Sequence, residues 1–305
     1  MQWRGRRQSS NIRDVRGSSG GGFGGLGRGG IGGGSGRGPV LRRAGGGGIG
    51  MIIVLVIVAF LFGINPMELL SGGGVTTGPA PQTSGQSGVQ GGASNEMRDF
   101  VATVLADTED TWTQIFEASG EDYPEPTLTL FSGRVDSACG AASAASGPFY
   151  CPGDRSLYID LDFYGELRER FGAPGDFAQA YVLAHEVGHH VQNVLGILKQ
   201  SQASQSRAGQ AEANAMSVRT ELQADCFAGI WANHTKQKGL LEQGDIEEAM
   251  TAAAAVGDDA IQERTQGYVV PESFNHGTSE QRAQWFRRGL ESGAVESCNT
   301  FASDI

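Results

Sequence analysis

Hydrophobic positions in this chain follow a helical period over most of its second half. Met97, Phe100, Val101, Val104, Leu105, Trp112, Ile115 and Phe116 recur three or four residues apart, the spacing of an amphipathic helix. The apolar stripe lapses over Asp107–Thr111, and a break is expected there. Thr127–Phe131 and Ser156–Leu161 are alternating or β-branched runs bounded by turn residues, which predicts two strands. Asp176 is placed as the N-cap of a helix running from Phe177 to Leu195 and stopped by Gly196. Further helices are expected over Glu212–Thr235, Ile246–Ala255 and Glu280–Glu291. The pattern reads as a helix-dominated α+β domain with a small sheet over residues 95–305, about 210 residues and enough for one core.

Upstream the pattern is different in kind. Ala44–Ile64 carries no charge and Met51–Phe62 is continuously apolar. Twenty-one helical residues at about 1.5 Å each reach roughly 31 Å, the thickness of a hydrocarbon core. A buried core helix would show a polar face, and a cleaved signal peptide would not have more than about forty residues ahead of its apolar run. Residues 44–66 are therefore expected to form a single transmembrane anchor, and residues 67–94, rich in Gly, Ser, Thr and Gln, a flexible linker.

Composition changes the picture of the first 43 residues. Met1–Gly48 holds 19 of the 48 glycines, nine Arg and one Asp, a net +8; the total of −11 leaves −19 for the remainder. An arm of this composition has too little apolar surface to offset its chain entropy, so residues 1–43 are expected to be an unstructured basic arm. The positive-inside rule puts that arm in the cytoplasm and the domain on the outer side of the membrane. The arm's arginines would then be solvated or meet anionic lipid heads. The acidic domain argues against nucleic acid as a partner.

The candidate chemistry lies in His185-Glu186-Val187-Gly188-His189. Residues four apart on a helix share a face, so His185 and His189 can bind one Zn²⁺ per chain while Glu186 serves as general base toward its bound water. Val187 faces the core and Gly188 a closely packed neighbour. His190 is expected to pack or hydrogen-bond. A catalytic zinc needs a third protein ligand. Glu221 is the best candidate, with Asp225 one turn later positioned to accept a hydrogen bond from a ligand histidine; His234 is the rival ligand.

HEVGHH followed by ELQADCFAG resembles the gluzincin metallopeptidases, in which a helical HExxH is completed by a Glu from an ExxxD helix. More closely, WRGRR, IRDVRG, SACGAASAASGPFYCP, LAHEVGHHVQ, RTELQADCFAG and HGTSEQRAQWF resemble the bacterial membrane-anchored "putative neutral zinc metallopeptidase" family nearly end to end. The resemblance implies a zincin-like fold and a zinc peptidase with a protein or peptide substrate. It also makes His276 and Arg282 similar to a downstream His/Arg pair of such enzymes, although His-Gly stands where His-Pro is usual. His276, in a loop before a helix, is accordingly a candidate donor to the oxyanion of peptide hydrolysis.

Four cysteines follow the expected crossing and lie in an oxidising compartment on that reading. They admit three pairings, of which Cys139 with Cys151 and Cys226 with Cys298 is favoured. Two functions follow from these patterns: a tethered zinc endopeptidase of the envelope, or a non-catalytic envelope module that keeps a zinc-stabilised fold. Neither substrate nor oligomeric state is written in these patterns.

Overall fold

The computed structural model describes residues 1–17 and 89–303, with side chains from Asn95 onward in the second stretch. The expected anchor at 44–66 and nearly all of the linker lie outside the described residues. Among the described residues no helix is long and apolar enough to cross a membrane.

In chain order the elements are β1 (Ile12–Asp14), α1 (Val89–Ala118), β2 (Thr127–Phe131), β3 (Arg134–Ser137), β4 (Gly140–Ser143), β5 (Phe149–Cys151), β6 (Ser156–Asp160), α2 (Phe163–Glu169), α3 (Asp176–Val194), α4 (Ile197–Gln205), α5 (Gln210–Gln237), α6 (Asp245–Ala255), α7 (Asp258–Gln266) and α8 (Ser279–Ser292). The helix-dominated α+β architecture is as expected. A four-stranded mixed sheet runs β1-β2-β6-β5, parallel except for β5, and β3 with β4 forms a separate hairpin. The sheet's inward residues Leu128, Leu130, Leu157 and Ile159 are fully buried in one core with α1 and α3, while Phe131, Tyr158 and Cys151 form a second cluster on its other face.

Helix α3 is the centre of the molecule: every residue from Phe177 to Gly188 except Gln179 is buried, because α1, α5 and α6 cover it from different sides. Gly188 sits where α3 meets α5; a Cβ there would lie 2.8 Å from the carbonyl oxygen of Ala224, so only glycine lets the two backbones approach this closely. Gly229 and Gly289 play the same part between α5 and α8, where added Cβ atoms would meet the carbonyls of Phe286 and Cys226. Both favoured disulfides are present, Cys139–Cys151 and Cys226–Cys298, the second joining α5 to the C-terminal segment.

Three expectations are corrected. Helix α1 does not break at Asp107–Thr111 but runs on to Ala118; Thr108 and Thr111 bond back to the carbonyls of Leu105 and Asp107, and the buried Asp107 and Glu109 find partners elsewhere. Asp176 is the first residue of α3 rather than its cap, which is Gly175; its carboxylate is taken by the Met1 amino group at 2.7 Å.

The third concerns the basic arm, whose first seventeen residues are not unstructured. Met1 and Trp3 are buried, Trp3 edge-on to Phe100, and β1 adds a parallel strand to the sheet edge at Leu128–Leu130. Arg6 binds the buried Asp107 at 2.6 Å, and Arg7 binds Glu109 and Asp110. Segment and domain are one folded body, and a single membrane crossing between residues 17 and 89 would separate these partners.

Candidate metal centre

The i, i+4 spacing on α3 places the His185 and His189 rings edge to face, 4.7 Å apart. Each ring's Nδ1 is already engaged. His185 Nδ1–H donates to Asp225 Oδ1 at 2.7 Å, and His189 Nδ1–H donates to Gln192 Oε1 at 2.9 Å. Gln192 is itself fixed by donating to the carbonyl of Thr220 and to Gln223 Oε1. Both Nε2 atoms are thereby presented to one place, where Glu221 arrives from α5. His185 Nε2 lies 3.2 Å from Glu221 Oε2 and His189 Nε2 lies 3.5 Å from Glu221 Oε1.

These separations allow a direct test of fit. Two donors bound tetrahedrally at about 2.0–2.1 Å from one ion stand about 3.4 Å apart, and 3.2 and 3.5 Å bracket that value. His185, His189 and Glu221 are close enough together to hold one ion, and the donor set of two imidazoles and a carboxylate suits zinc. His234, on the last turn of α5, is not part of the cluster.

Asp225 is the hub behind the site. Besides His185 it accepts from Tyr181 Oη at 2.5 Å and from the Arg282 guanidinium at 2.9 and 3.0 Å, all within a fully buried pocket. Arg282 therefore holds the carboxylate that orients a ligand histidine and makes no hydrogen bond to His276. His276 is instead held by Asp258. Its Nδ1 lies 3.1 Å from Asp258 Oδ1, while Oδ2 accepts the backbone N–H groups of Asn275, His276 and Gly277. That leaves the His276 Nε2 uncommitted, on an imidazole near enough to Glu221 for each to shift the other's ionisation.

The electrostatics follow from the same contacts. Burial disfavours a charged His185, but the Asp225 charge and hydrogen bond, with Glu221, outweigh it and raise the imidazole to about 10. Burial likewise opposes the Glu221 carboxylate, yet His189, His185 and His276 hold it well below the usual range. Glu186 is different. Burial lifts its carboxyl above the ordinary value, with His185 and His189 pulling the other way. The buried hydroxyl of Tyr164, on α2, has no hydrogen-bond partner among the described residues and feels the Glu186 charge. His190 is structural, as expected: its ring spans Tyr150 Oη and the carbonyl of Pro124, and burial lowers it to about 4.

Sequence reasoning missed Asp258, Gln192, Tyr181 and Tyr164. Only Asp258 left a trace, as an acidic residue at the start of a short polar helix, which reads as an ordinary N-terminal carboxylate.

A helical pair of histidines and a carboxylate from a second helix form a candidate metal centre. The family described as "putative neutral zinc metallopeptidase" matches residues 1–301, and the chain belongs to it. It is 46% identical over 305 residues to the uncharacterised Escherichia coli protein YpfJ, covering the whole of both chains. It is also 47% identical over 193 residues to the uncharacterised Mycobacterium bovis protein Mb2605, covering 59% of this chain and 64% of that one. No solved structure matches.

Proposed function

We propose that this chain is a zinc-dependent peptidase. The observation that carries the reading is the convergence of both Nε2 atoms and the Glu221 carboxylate on one point, with Glu186 between the two histidines in sequence and bonded to no other side chain among the described residues. His185, His189 and Glu221 would hold the ion. Zinc bound there supplies a Lewis acid and lowers the pKa of water toward neutrality. Glu186 takes the proton from the attacking water and returns it to the amine leaving group, work for which a buried carboxyl of raised pKa is suited. His276, fixed at Nδ1 by Asp258 and kept charged by Asp258 and Glu221, offers the Nε2–H of its imidazolium to the developing oxyanion.

The substrate is an extended protein or peptide of the bacterial envelope, cut internally. Two disulfides support an extracytoplasmic site, and the uncharged run at 44–64 supports attachment to a membrane.

The test pairs metal analysis with mass spectrometry of digested peptide libraries. The expected result is one zinc per chain and chelator-sensitive cleavage. Glu186→Gln should keep the zinc and lose about 10²–10⁴-fold in rate. A chain that binds zinc but cleaves nothing, with Glu186→Gln indistinguishable from it, would instead mark a zinc-stabilised binding module.

A further inference from the structure

The packing of the first seventeen residues bears on which face of a membrane they occupy. Glu109, on α1, has a side chain only 2% exposed. All its hydrogen-bond partners among the described residues come from the N-terminal segment: Ser9 Oγ at 2.5 Å, Asn11 Nδ2 at 2.9 Å and Arg7 at 3.1 Å. Asp107, close by on α1, takes Arg6. Within the folded chain the segment thus supplies every side-chain donor to this buried carboxylate, the pairing that a buried charge requires.

The backbone is equally committed. Gln2 N–H donates to Leu240, Ser9 N–H to Ala102, and Val15 N–H to Leu130, while Leu128 N–H donates to Asn11. The strand Ile12–Asp14 covers β2, whose other edge is taken by β6, so the segment completes the sheet. Arg4, Arg6 and Arg7 all meet carboxylates of α1. These three arginines thus have their counter-charge within the chain, with no need of a lipid surface.

We infer that residues 1–17 lie on the same side of the membrane as residues 89–303, as a built-in strap over α1 and the sheet edge. This replaces the arrangement with a cytoplasmic arm and an external domain. It holds whether or not the metal centre hydrolyses peptides. The two disulfides put the shared side in an oxidising compartment.

Thiol accessibility in cells tests this on the full-length chain. All four native cysteines are paired, so an introduced thiol is read against a silent background. Ser10→Cys, in the strap, and Ser119→Cys, at the end of α1, are both at exposed positions. Each variant is treated with a membrane-impermeant maleimide small enough to pass outer-membrane pores, before and after lysis. The expected result is that both label fully in intact cells. Both staying protected until lysis would also place strap and body together, on the inner face. Labelling of Ser119→Cys in intact cells with Ser10→Cys protected until lysis, or the reverse, overturns the inference. Gln8→Cys and Glu117→Cys, also exposed, repeat the comparison at independent positions.

Discussion

Two fully buried aspartates, Asp107 and Asp225, anchor opposite stretches of helix α5, and they are used differently. Asp107 reaches α5 from α1 and accepts from Trp231 Nε1 at 2.9 Å, Thr235 Oγ1 at 2.8 Å, Lys238 Nζ at 3.1 Å and Arg6 at 2.6 Å. Two cations and two neutral donors saturate one carboxylate, and the network ends there. Asp225 belongs to α5 itself and is saturated too, but one of its donors is His185, whose far nitrogen faces His189 and Glu221. Burial and charge alone do not mark a functional carboxylate. What separates the two hubs is whether a partner has a second coordinating atom left over, and only the Asp225 network does.

The largest effect that probes this contrast is expected for Asp225→Asn. It deprives Arg282, whose side chain is only 5% exposed, of its ion-pair partner. Removing one partner of a buried pair costs roughly 3–5 kcal/mol. Loss of the carboxylate behind a ligand histidine also weakens metal binding about 10–100-fold. Both are measurable, by urea unfolding and by zinc competition against a chelator of known affinity. If Asp225→Asn binds zinc as tightly as the parent chain, Asp225 is only a second structural hub and the contrast fails.

Asp107→Asn comes next. Arg6 and Lys238 keep 25% and 31% exposure and recover some hydration, so the destabilisation falls toward the lower end of roughly 3–5 kcal/mol, with zinc affinity unchanged. A loss of zinc in this variant would erase the distinction from the other side. The acid limb sharpens it further. Burial raises the Asp107 carboxyl, but Arg6, Lys238 and Thr235 outweigh that and hold it below the ordinary 3.8. A carboxyl depressed in the folded state contributes stability above its unfolded pKa and loses it as pH falls through the folded value. The parent chain therefore gives up this contribution below about pH 4, and Asp107→Asn should show a shallower acid limb in stability measured against pH.

What the sequence made legible follows from how local each signal is. His185 and His189 share a face by the helical period alone, so their pairing could be read directly. Glu221 and Asp225 needed only one further helix, and the apolar Leu222, Phe227 and Ile230 marked it. The contact of His276 with Asp258 spans 18 residues and depends on how a loop folds over a helix start, which no periodicity encodes. Strand β1 was invisible for another reason: Ile-Arg-Asp is three residues long, two of them charged, inside a segment rich in Gly and Arg. The same misreading produced the expected break in α1. Asp107 and Glu109 interrupt the apolar stripe because they receive the strap's polar side chains, so two errors had one cause.

The smallest expected effect comes from Gly188, the point of closest approach between the two ligand-bearing helices. An added methyl would meet Ala224 O at 2.8 Å and Ala224 Cα at 3.0 Å, both backbone atoms that move only with α5 as a whole. Gly188→Ala gains about 1 kcal/mol in helix propensity and costs roughly 1–3 kcal/mol in overpacking, a net loss of at most about 2 kcal/mol. The displacement acts next to Asp225, and Glu221 rides on the same helix. Trp231 and Thr235 lie further along α5, so the Asp107 hub is spared. Zinc affinity should fall several-fold, and stability losses in a Gly188→Ala/Asp107→Asn double variant should add to within about 0.5 kcal/mol. Strong non-additivity would show that α5 transmits the shift along its length, joining the two hubs into one unit.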